Sequence, residues 1–150
     1  MKELVYEDTP RYDLWLKLML GSILALTLIL GFALLAVDLV VACVMFAVTV
    51  FDALLFKAIL PRRFQIFQDR VKIVLGGPLV LNIPLLDISE ARRASASKAF
   101  AYWGLRFVTS TQSIVEIVRK KGLSVVISPV NADMFLEQLN QALGAASNPS

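Results

Sequence analysis

The side chains that most often perform catalysis are scarce in this chain. It contains no histidine and a single cysteine, Cys43, which lies within an apolar stretch. Histidine is the commonest general base and metal ligand, so the usual catalytic and zinc-binding arrangements lack candidate residues. Asp87 and Glu90 are three positions apart, but near a strand end that spacing does not make two carboxylates converge. The sequence therefore predicts a protein that is not an enzyme and that needs no metal or other cofactor.

Sequence motifs for phosphate, dinucleotide or nucleic-acid binding are also missing. The chain has no Walker loop, no G-x-G-x-x-G, no G-x-S-x-G, no HExxH and no CxxC. Its densest glycine cluster, Gly76-Gly77-Pro78, is not followed by a helix pattern that could hold a phosphate, so we interpret it as a turn. A net charge of only +3 and the lack of a glycine–aromatic RNA signature argue against a nucleic-acid partner.

A long apolar run is the first element of the chain that could position a functional site. It extends from Leu18 to Leu60 and is interrupted only by Asp38, Asp52 and Lys57. A helix needs about 20 apolar residues to cross a bilayer, and this run is about twice as long. Mean hydropathy is +0.70, with 57% hydrophobic residues, which is high for a soluble domain. We therefore predict a transmembrane helical hairpin over residues 14–60, with helices at about 14–36 and 39–60.

The distribution of lysine and arginine predicts how this hairpin is oriented. No basic residue lies near Asp38, where the turn is expected. Both flanks are basic: the residues are Lys2, Arg11 and Lys17 around the start of the hairpin, and Lys57, Arg62 and Arg63 around its end. Because basic flanks remain on the cytoplasmic side, both termini are expected there, with residues 1–13 as a cytoplasmic flank of a two-pass protein in the inner or plasma membrane.

Two features within the predicted helices could carry function. An acid inside a membrane, here Asp52, suggests either a proton or cation path or an ion pair. Thr27 and Thr49 are the only further candidates for a path, so we favour an ion pair of Asp52 with Lys17 or Lys57, whose long side chains reach towards the interface. The second feature is a face of small residues suited to close helix packing: Gly21, Ser22 and Ala25.

After Pro61 the pattern changes to short strand-like runs separated by turn residues. Val71–Leu75 (VKIVL) alternates as a half-buried strand does. Asn131 is suited to begin a helix whose apolar stripe includes Phe135 and Leu139, and Gly144 is suited to end it. The prediction is a mostly-β domain over residues 61–143, with about seven strands in a bent sheet or barrel capped by a C-terminal helix, and a disordered tail over residues 144–150.

Three segments in this order resemble the bacterial pleckstrin-homology-like (bPH) domain. They are PRRFQIFQDRVKIVLGG, IPLLDI and ISPVNADMFLEQL, spread over residues 61–139. Such domains often follow a pair of membrane helices in small uncharacterised bacterial proteins. The resemblance implies a seven-stranded PH-like barrel with a C-terminal helix, but it supplies no accepted catalytic residue and no uniform ligand.

Two surfaces of this domain are candidate contact sites. Residues 61–150 carry a net charge of +5, which favours an anionic membrane surface. The candidate lipid contacts are Arg62, Arg63, Arg70 and Lys72. The alternative is that the positive charge reflects only the tendency of basic residues to remain on the cytoplasmic side of a membrane. A basic and aromatic segment is the candidate partner interface, with Arg92, Arg93, Lys98, Phe100, Tyr102 and Trp103. Its aromatic rings could instead complete the core or dip into the headgroup region.

Two function classes follow from these features. The first is a membrane-anchored, non-catalytic interaction or scaffold module that binds a protein partner at the cytoplasmic face, with an anionic lipid as a second candidate ligand. The second is an accessory or assembly subunit of a larger membrane complex that associates through its helical hairpin. The expected partners are therefore the lipid bilayer and either another protein or a second copy of the chain.

Overall fold

The computed structural model describes residues 3–95 and 104–147. Two long helices, α1 (Leu14–Leu34) and α2 (Leu39–Ile59), form the hairpin, close to the predicted bounds of 14–36 and 39–60. Both are long and apolar enough to span a membrane, with hydropathies of 2.1 and 2.6. Only 11% and 6% of their most apolar windows are buried in the protein, whereas the core helix of a soluble protein would be mostly covered. Asp38 caps α2 by accepting hydrogen bonds from the N–H groups of Val40 and Val41.

A glycine of α1 packs directly against α2. A Cβ atom on Gly31 would lie 2.9 Å from Cε1 of Phe46, so a larger residue there would require the Phe46 ring to move. One turn away, the hydroxyl of Thr49 donates to the hydroxyl of Thr27 at 3.0 Å. Small residues and hydroxyl pairs at a seam are typical of helices that pack within a membrane.

The remaining elements form two four-stranded sheets and one further long helix. The first sheet has the order β1-β2-β3-β4 and is antiparallel, and the second has the order β5-β7-β8-β6, in which β6 and β8 are parallel. The elements are β1 (Leu4–Asp8), β2 (Pro61–Phe67), β3 (Arg70–Leu75), β4 (Val80–Pro84), a 3-10 turn (Leu85–Asp87), β5 (Ile88–Arg93), β6 (Leu105–Phe107), β7 (Val115–Arg119), β8 (Val125–Ile127) and α3 (Ala132–Ser147).

This arrangement confirms a small sheet domain after the hairpin but corrects the predicted single bent sheet or barrel. Residues 61–143 contribute seven of the eight described strands, and the two sheets do not close into a barrel because β4 and β5 belong to different sheets. An isolated bridge between Pro10 and Pro129 links the residues that follow β1 to those that follow β8.

The eighth strand comes from the N-terminal flank, for which we predicted no role in the domain. In β1, Leu4 pairs with Phe67 and Asp8 with Phe64, so β1 and β2 are antiparallel neighbours. The helical hairpin is therefore an insertion between two paired strands. It follows that the N-terminal flank and the sheet domain lie on the same side of any membrane that the two helices cross.

The domain core lies between the two sheets and α3. Phe64 and Ile73 from the first sheet, Ile117 from the second, and Phe135 and Leu139 from α3 are all fully buried. Phe135 meets the rings of Tyr6 and Phe64 edge-on, with centroid distances of 6.3 and 6.4 Å. The N-terminal flank, the first sheet and the helix thus share one aromatic cluster.

Both ends of α3 depend on residues distant in sequence. At its start, the buried carboxylate of Asp8 accepts a hydrogen bond of 2.9 Å from the N–H of Asn131, where a negative charge is favourable. At its end, the helix continues through Gly144 to Ser147, so the predicted stop at Gly144 is wrong. Leu143 and Ala146 pack against the core, and this contact holds the last turn in helical form.

Candidate functional site

The hairpin joins the sheet domain without a linker. Only Leu60 separates the end of α2 from the start of β2, and its carbonyl accepts a 2.9 Å hydrogen bond from the N–H of Gly76. A Cβ atom on Gly76 would lie 1.7 Å from the carbonyl oxygen of Lys57, and one on Gly77 would lie 3.2 Å from Cβ of Ala58. The turn between β3 and β4 therefore lies directly on the last turn of α2.

The start of α1 is held by the loop that follows β6. The backbone N–H of Asp13 donates to the carbonyl of Thr109 at 3.0 Å. The Asp13 carboxylate accepts hydrogen bonds from the Ser110 hydroxyl at 2.7 Å and the Thr111 N–H at 2.9 Å. Burial by itself would raise the pKa of Asp13, but these hydrogen bonds and the charge of Arg11 together lower it. Asp13 is thus a charged attachment between helix and domain.

Tyr12 joins the two ends of the hairpin to each other. Its hydroxyl donates a short hydrogen bond to the carbonyl of Pro61, the first residue of β2. Burial raises the pKa of Tyr12, and the nearby Arg62 lowers it by a smaller amount. Because the phenol stays protonated at neutral pH, it can act as the donor. Together with Asp13 and Gly76, it fixes the orientation of the sheet domain relative to the helices.

We predict that Asp13→Ala destabilises the protein by about 1–3 kcal/mol at neutral pH, because it leaves the Ser110 and Thr111 donors without their acceptor. The lowered pKa sets the pH dependence. A carboxylate whose pKa is lower in the folded than in the unfolded protein stabilises the folded state. This stabilisation is complete above the unfolded pKa of about 3.9, and it is lost as the pH falls through the folded pKa. Chemical denaturation in detergent micelles at pH 7 and near pH 3 should show the wild-type advantage shrink in acid.

Asp133→Ala is the matched control for this prediction. Its carboxylate is 79% exposed and pairs with Arg93 at the surface, so its loss should cost at most about 1 kcal/mol. An Asp13→Ala variant that unfolds at the same denaturant concentration as Asp133→Ala would contradict the role assigned to Asp13.

The four basic residues predicted to contact lipid do not converge on one site. Arg62 and Arg70 lie at opposite ends of the β2–β3 pair, roughly 17 Å apart along the strands. Arg63 lies 3.5 Å from Glu7 of β1, and Arg70 lies 3.6 Å from Asp69. Lys72 is half-buried in the middle of β3. These residues therefore form a dispersed surface with local charge compensation.

The predicted partner interface is described only in part. Arg92 lies 2.8 Å from the buried Glu116 of β7, and Arg93 lies 2.7 Å from Asp133 of α3. Both arginines thus hold β5 to its neighbours. The other candidates lie outside the described residues: Lys98, Phe100, Tyr102 and Trp103.

The two predicted features of the helices also have definite positions. The small-residue face of Gly21, Ser22 and Ala25 is exposed, and a Cβ atom on Gly21 would meet nothing within 4 Å. It does not form the contact with α2, which uses Gly31 instead. The predicted ion pair of Asp52 with Lys17 or Lys57 is not formed among the described residues, since no nitrogen of either lysine lies within 4 Å of the carboxylate.

An open groove of about 380 Å³ lies between β5 and α3, and no sequence pattern predicted it. Its β5 wall is formed by four consecutive residues, Ile88, Ser89, Glu90 and Ala91. Successive strand residues point to opposite faces, so four in a row line the groove where β5 presents its edge, at the register shift between Ile88 and Glu90. Among the described strands, β5 pairs with β7 alone, so this edge is open.

The opposite wall of the groove is the C-terminal half of α3. It includes Leu143 and Gly144, while the exposed Leu86 contributes an apolar side chain just before β5. A Cβ atom on Gly144 would meet nothing within 4 Å, so the groove is empty above this residue. Glu90 and Lys120 place one charge of each sign among the lining residues. The groove thus combines an open strand edge, apolar walls and mixed polarity.

The register of β5 defines which part of the edge is regular. A register shift between Ile88 and Glu90 interrupts the pairing with β7, and the residues from Glu90 to Arg93 then pair in order with Val118 to Val115. A bulge changes the direction of the strand locally and interrupts its regular pairing at that point. An added strand would therefore align along Glu90–Arg93.

Comparison with known proteins identifies no relative that could assign this site: no family model, no curated protein and no solved structure matches the chain.

Proposed function

We propose that this protein is a membrane-anchored, non-catalytic interaction module, whose PH-like domain binds an extended segment of a protein partner in the groove between β5 and α3. The observation that carries the proposal is the open edge of β5 beside an apolar helix wall. The order of elements supports a PH-like assignment, because two four-stranded sheets are followed by one long helix that packs on them.

The groove offers the two components of recognition by strand addition. Backbone groups on an open strand edge give affinity to any extended segment, and pockets for alternate side chains give specificity. Leu86 and Leu143 supply apolar contacts at the groove, while Glu90 and Lys120 supply charges of both signs. The expected ligand is an extended segment with an apolar residue at alternate positions.

The linker-free junction supports a function at the membrane surface. Contacts of Asp13, Tyr12 and Gly76 hold the domain against both ends of the hairpin. A groove on such a domain keeps a fixed direction relative to the membrane, which favours partners that are themselves membrane-bound. The basic flanks of the hairpin favour a cytoplasmic location for this groove.

The substitution Gly144→Leu tests the proposal because it adds bulk to the groove wall at a position where a Cβ atom meets no neighbour within 4 Å. Replacing glycine by leucine within a helix should also stabilise the helix by about 0.5–1 kcal/mol. Peptides selected from a random phage-displayed library on the full chain in lipid nanodiscs should bind Gly144→Leu at least about tenfold more weakly than wild type, as measured by fluorescence anisotropy.

Gln141→Leu is the matched control, since it adds the same side chain to an exposed position of α3 that does not line the groove. Its affinity for the selected peptides should stay within about twofold of wild type. Backbone amide shifts on peptide addition should concentrate on Glu90–Arg93. Selected peptides that bind Gly144→Leu as well as wild type, or that shift amides only elsewhere, would refute binding in this groove.

A further inference from the structure

Asp52 is an acidic residue deep within the second apolar helix. It is the fourteenth of the 21 residues of α2 and lies seven residues before the helix ends at Ile59. At about 1.5 Å per residue, this places the carboxylate about 10 Å from that end of the helix. If α2 spans a bilayer, Asp52 lies inside the hydrocarbon region and not at its surface.

The antiparallel register of the hairpin shows why neither nearby lysine reaches Asp52. Thr27 faces Thr49, and Gly31 faces Phe46, which places Leu24 opposite Asp52. By the same register Lys17 lies opposite Ile59, about 10 Å further along the helices. Lys57 is five residues beyond Asp52, so its side chain leaves α2 about 140° around the helix axis.

Within the described part of the chain, Asp52 has no hydrogen bond and no ion pair, and its side chain is partly exposed. The nearest polar side chains of the seam are already occupied. The single hydroxyl hydrogen of Thr49 is shared between the Thr27 hydroxyl and the carbonyl of Met45, and that of Thr27 is directed to the carbonyls of Ile23 and Leu24. An unpaired acid costs about 2.5–3.5 kcal/mol at the centre of a transmembrane helix on insertion scales, and acids within such helices usually pair with a group of opposite charge.

We infer that Asp52 is the contact point for a transmembrane helix of another protein that carries a lysine or arginine at the same depth. The inference concerns the hairpin and does not depend on the groove between β5 and α3. Charge complementarity selects a basic partner, because every other residue of α2 within one turn of Asp52 is apolar or the self-satisfied Thr49.

A second copy of this chain does not meet the requirement. A copy with the same orientation places its own Asp52 at this depth, and two carboxylates repel each other. In that copy, the two lysines of the hairpin are Lys17 and Lys57. Both lie about 7–10 Å from the level of Asp52, towards the start of α1 and the end of α2. Their long side chains extend towards the interface, away from the level of Asp52.

The inference can be tested with a synthetic probe helix. The probe is a leucine-rich transmembrane peptide with one lysine placed seven residues from its cytoplasmic end, and its matched partner carries glutamine instead. Energy transfer between the labelled full chain and the labelled peptide is measured in neutral phosphatidylcholine vesicles. We expect the lysine peptide to associate at least about tenfold more tightly than the glutamine peptide, and Asp52→Asn to abolish this difference.

Three further variants separate the explanations. Asp52→Glu keeps the charge and should retain the preference for lysine, Thr49→Val should leave it unchanged, and Gly144→Leu should have no effect. Equal association of the lysine and glutamine peptides, or an unchanged preference in Asp52→Asn, would overturn the inference. So would self-association of the wild type that Asp52→Asn removes, since that result would assign the residue to contact between copies.

Discussion

Replacing Gly76 with alanine is expected to detach the turn between β3 and β4 from the membrane helix. The added Cβ atom would lie 1.7 Å from the carbonyl oxygen of Lys57, a distance that no packing adjustment of side chains can relieve because the clashing atom is backbone. Overpacking typically costs about 1–3 kcal/mol, and a clash between two backbone segments should reach or exceed the upper end of that range.

The measurement is thermal unfolding of the full chain in detergent, combined with hydrogen exchange of the Gly76 amide, which donates to Leu60 in the native state. Gly144→Ala is the matched glycine control, because its Cβ atom meets no atom within 4 Å. It should be neutral or stabilise α3 by up to about 1 kcal/mol. If Gly76→Ala unfolds at the same temperature as this control and keeps its amide protected, the close contact between turn and helix is disproved.

The largest loss of stability is expected for Phe135→Ala. Phe135 is fully buried, and its ring meets Tyr6 from the N-terminal strand and Phe64 from the first sheet. Truncating a buried phenylalanine to alanine leaves a cavity and costs about 3–5 kcal/mol. Leu139→Ala, one turn further along the same buried stripe, should cost about 2–5 kcal/mol for the same reason.

Met134 provides the control for this cavity, since it precedes Phe135 on the same helix and is 48% exposed. Met134→Ala should change the free energy of unfolding by no more than about 0.5 kcal/mol. Circular dichroism during chemical denaturation in detergent measures all three variants. Equal midpoints for Phe135→Ala and Met134→Ala would mean that α3 does not cover the core.

Together, these two sites connect the membrane helices to the proposed binding groove. Gly76 joins α2 to the first sheet, and Phe135 joins that sheet to α3, which forms one wall of the groove. Loosening either contact should change how the groove is held at the membrane. Gly76→Ala is therefore also expected to weaken peptide binding less than Gly144→Leu does, because it leaves the groove walls intact.

Elements with a strong local pattern were predictable from the sequence. The helical hairpin follows from an apolar run about twice the length of one crossing, and α3 follows from the recurrence of Phe135 and Leu139 on one face. The end of α3 was predicted wrongly, because Gly144 is a frequent helix stop. Packing of Leu143 and Ala146 on the core outweighs that preference in the folded chain.

The N-terminal strand was missed because its partner is distant in sequence. The segment LVYED is five residues long and contains β-prone Val5 and Tyr6 before Thr9 and Pro10, which is a weak signal in isolation. It becomes a strand because it pairs with β2 across the inserted hairpin, at sequence separations above fifty residues. Its Asp8 and Tyr6 then complete the start of α3 and the aromatic cluster.

The sequence by itself determined which residues avoid water and over what lengths: two helices able to span a membrane, a set of short strands and an amphipathic helix. Only the tertiary structure decided which side chains meet. The predicted pair of Asp52 with lysine depends on the register between two helices, and the groove depends on which strand remains at a sheet edge. Both are relations between distant segments, and local hydrophobic periodicity carries no information about them because it records only the environment of each residue.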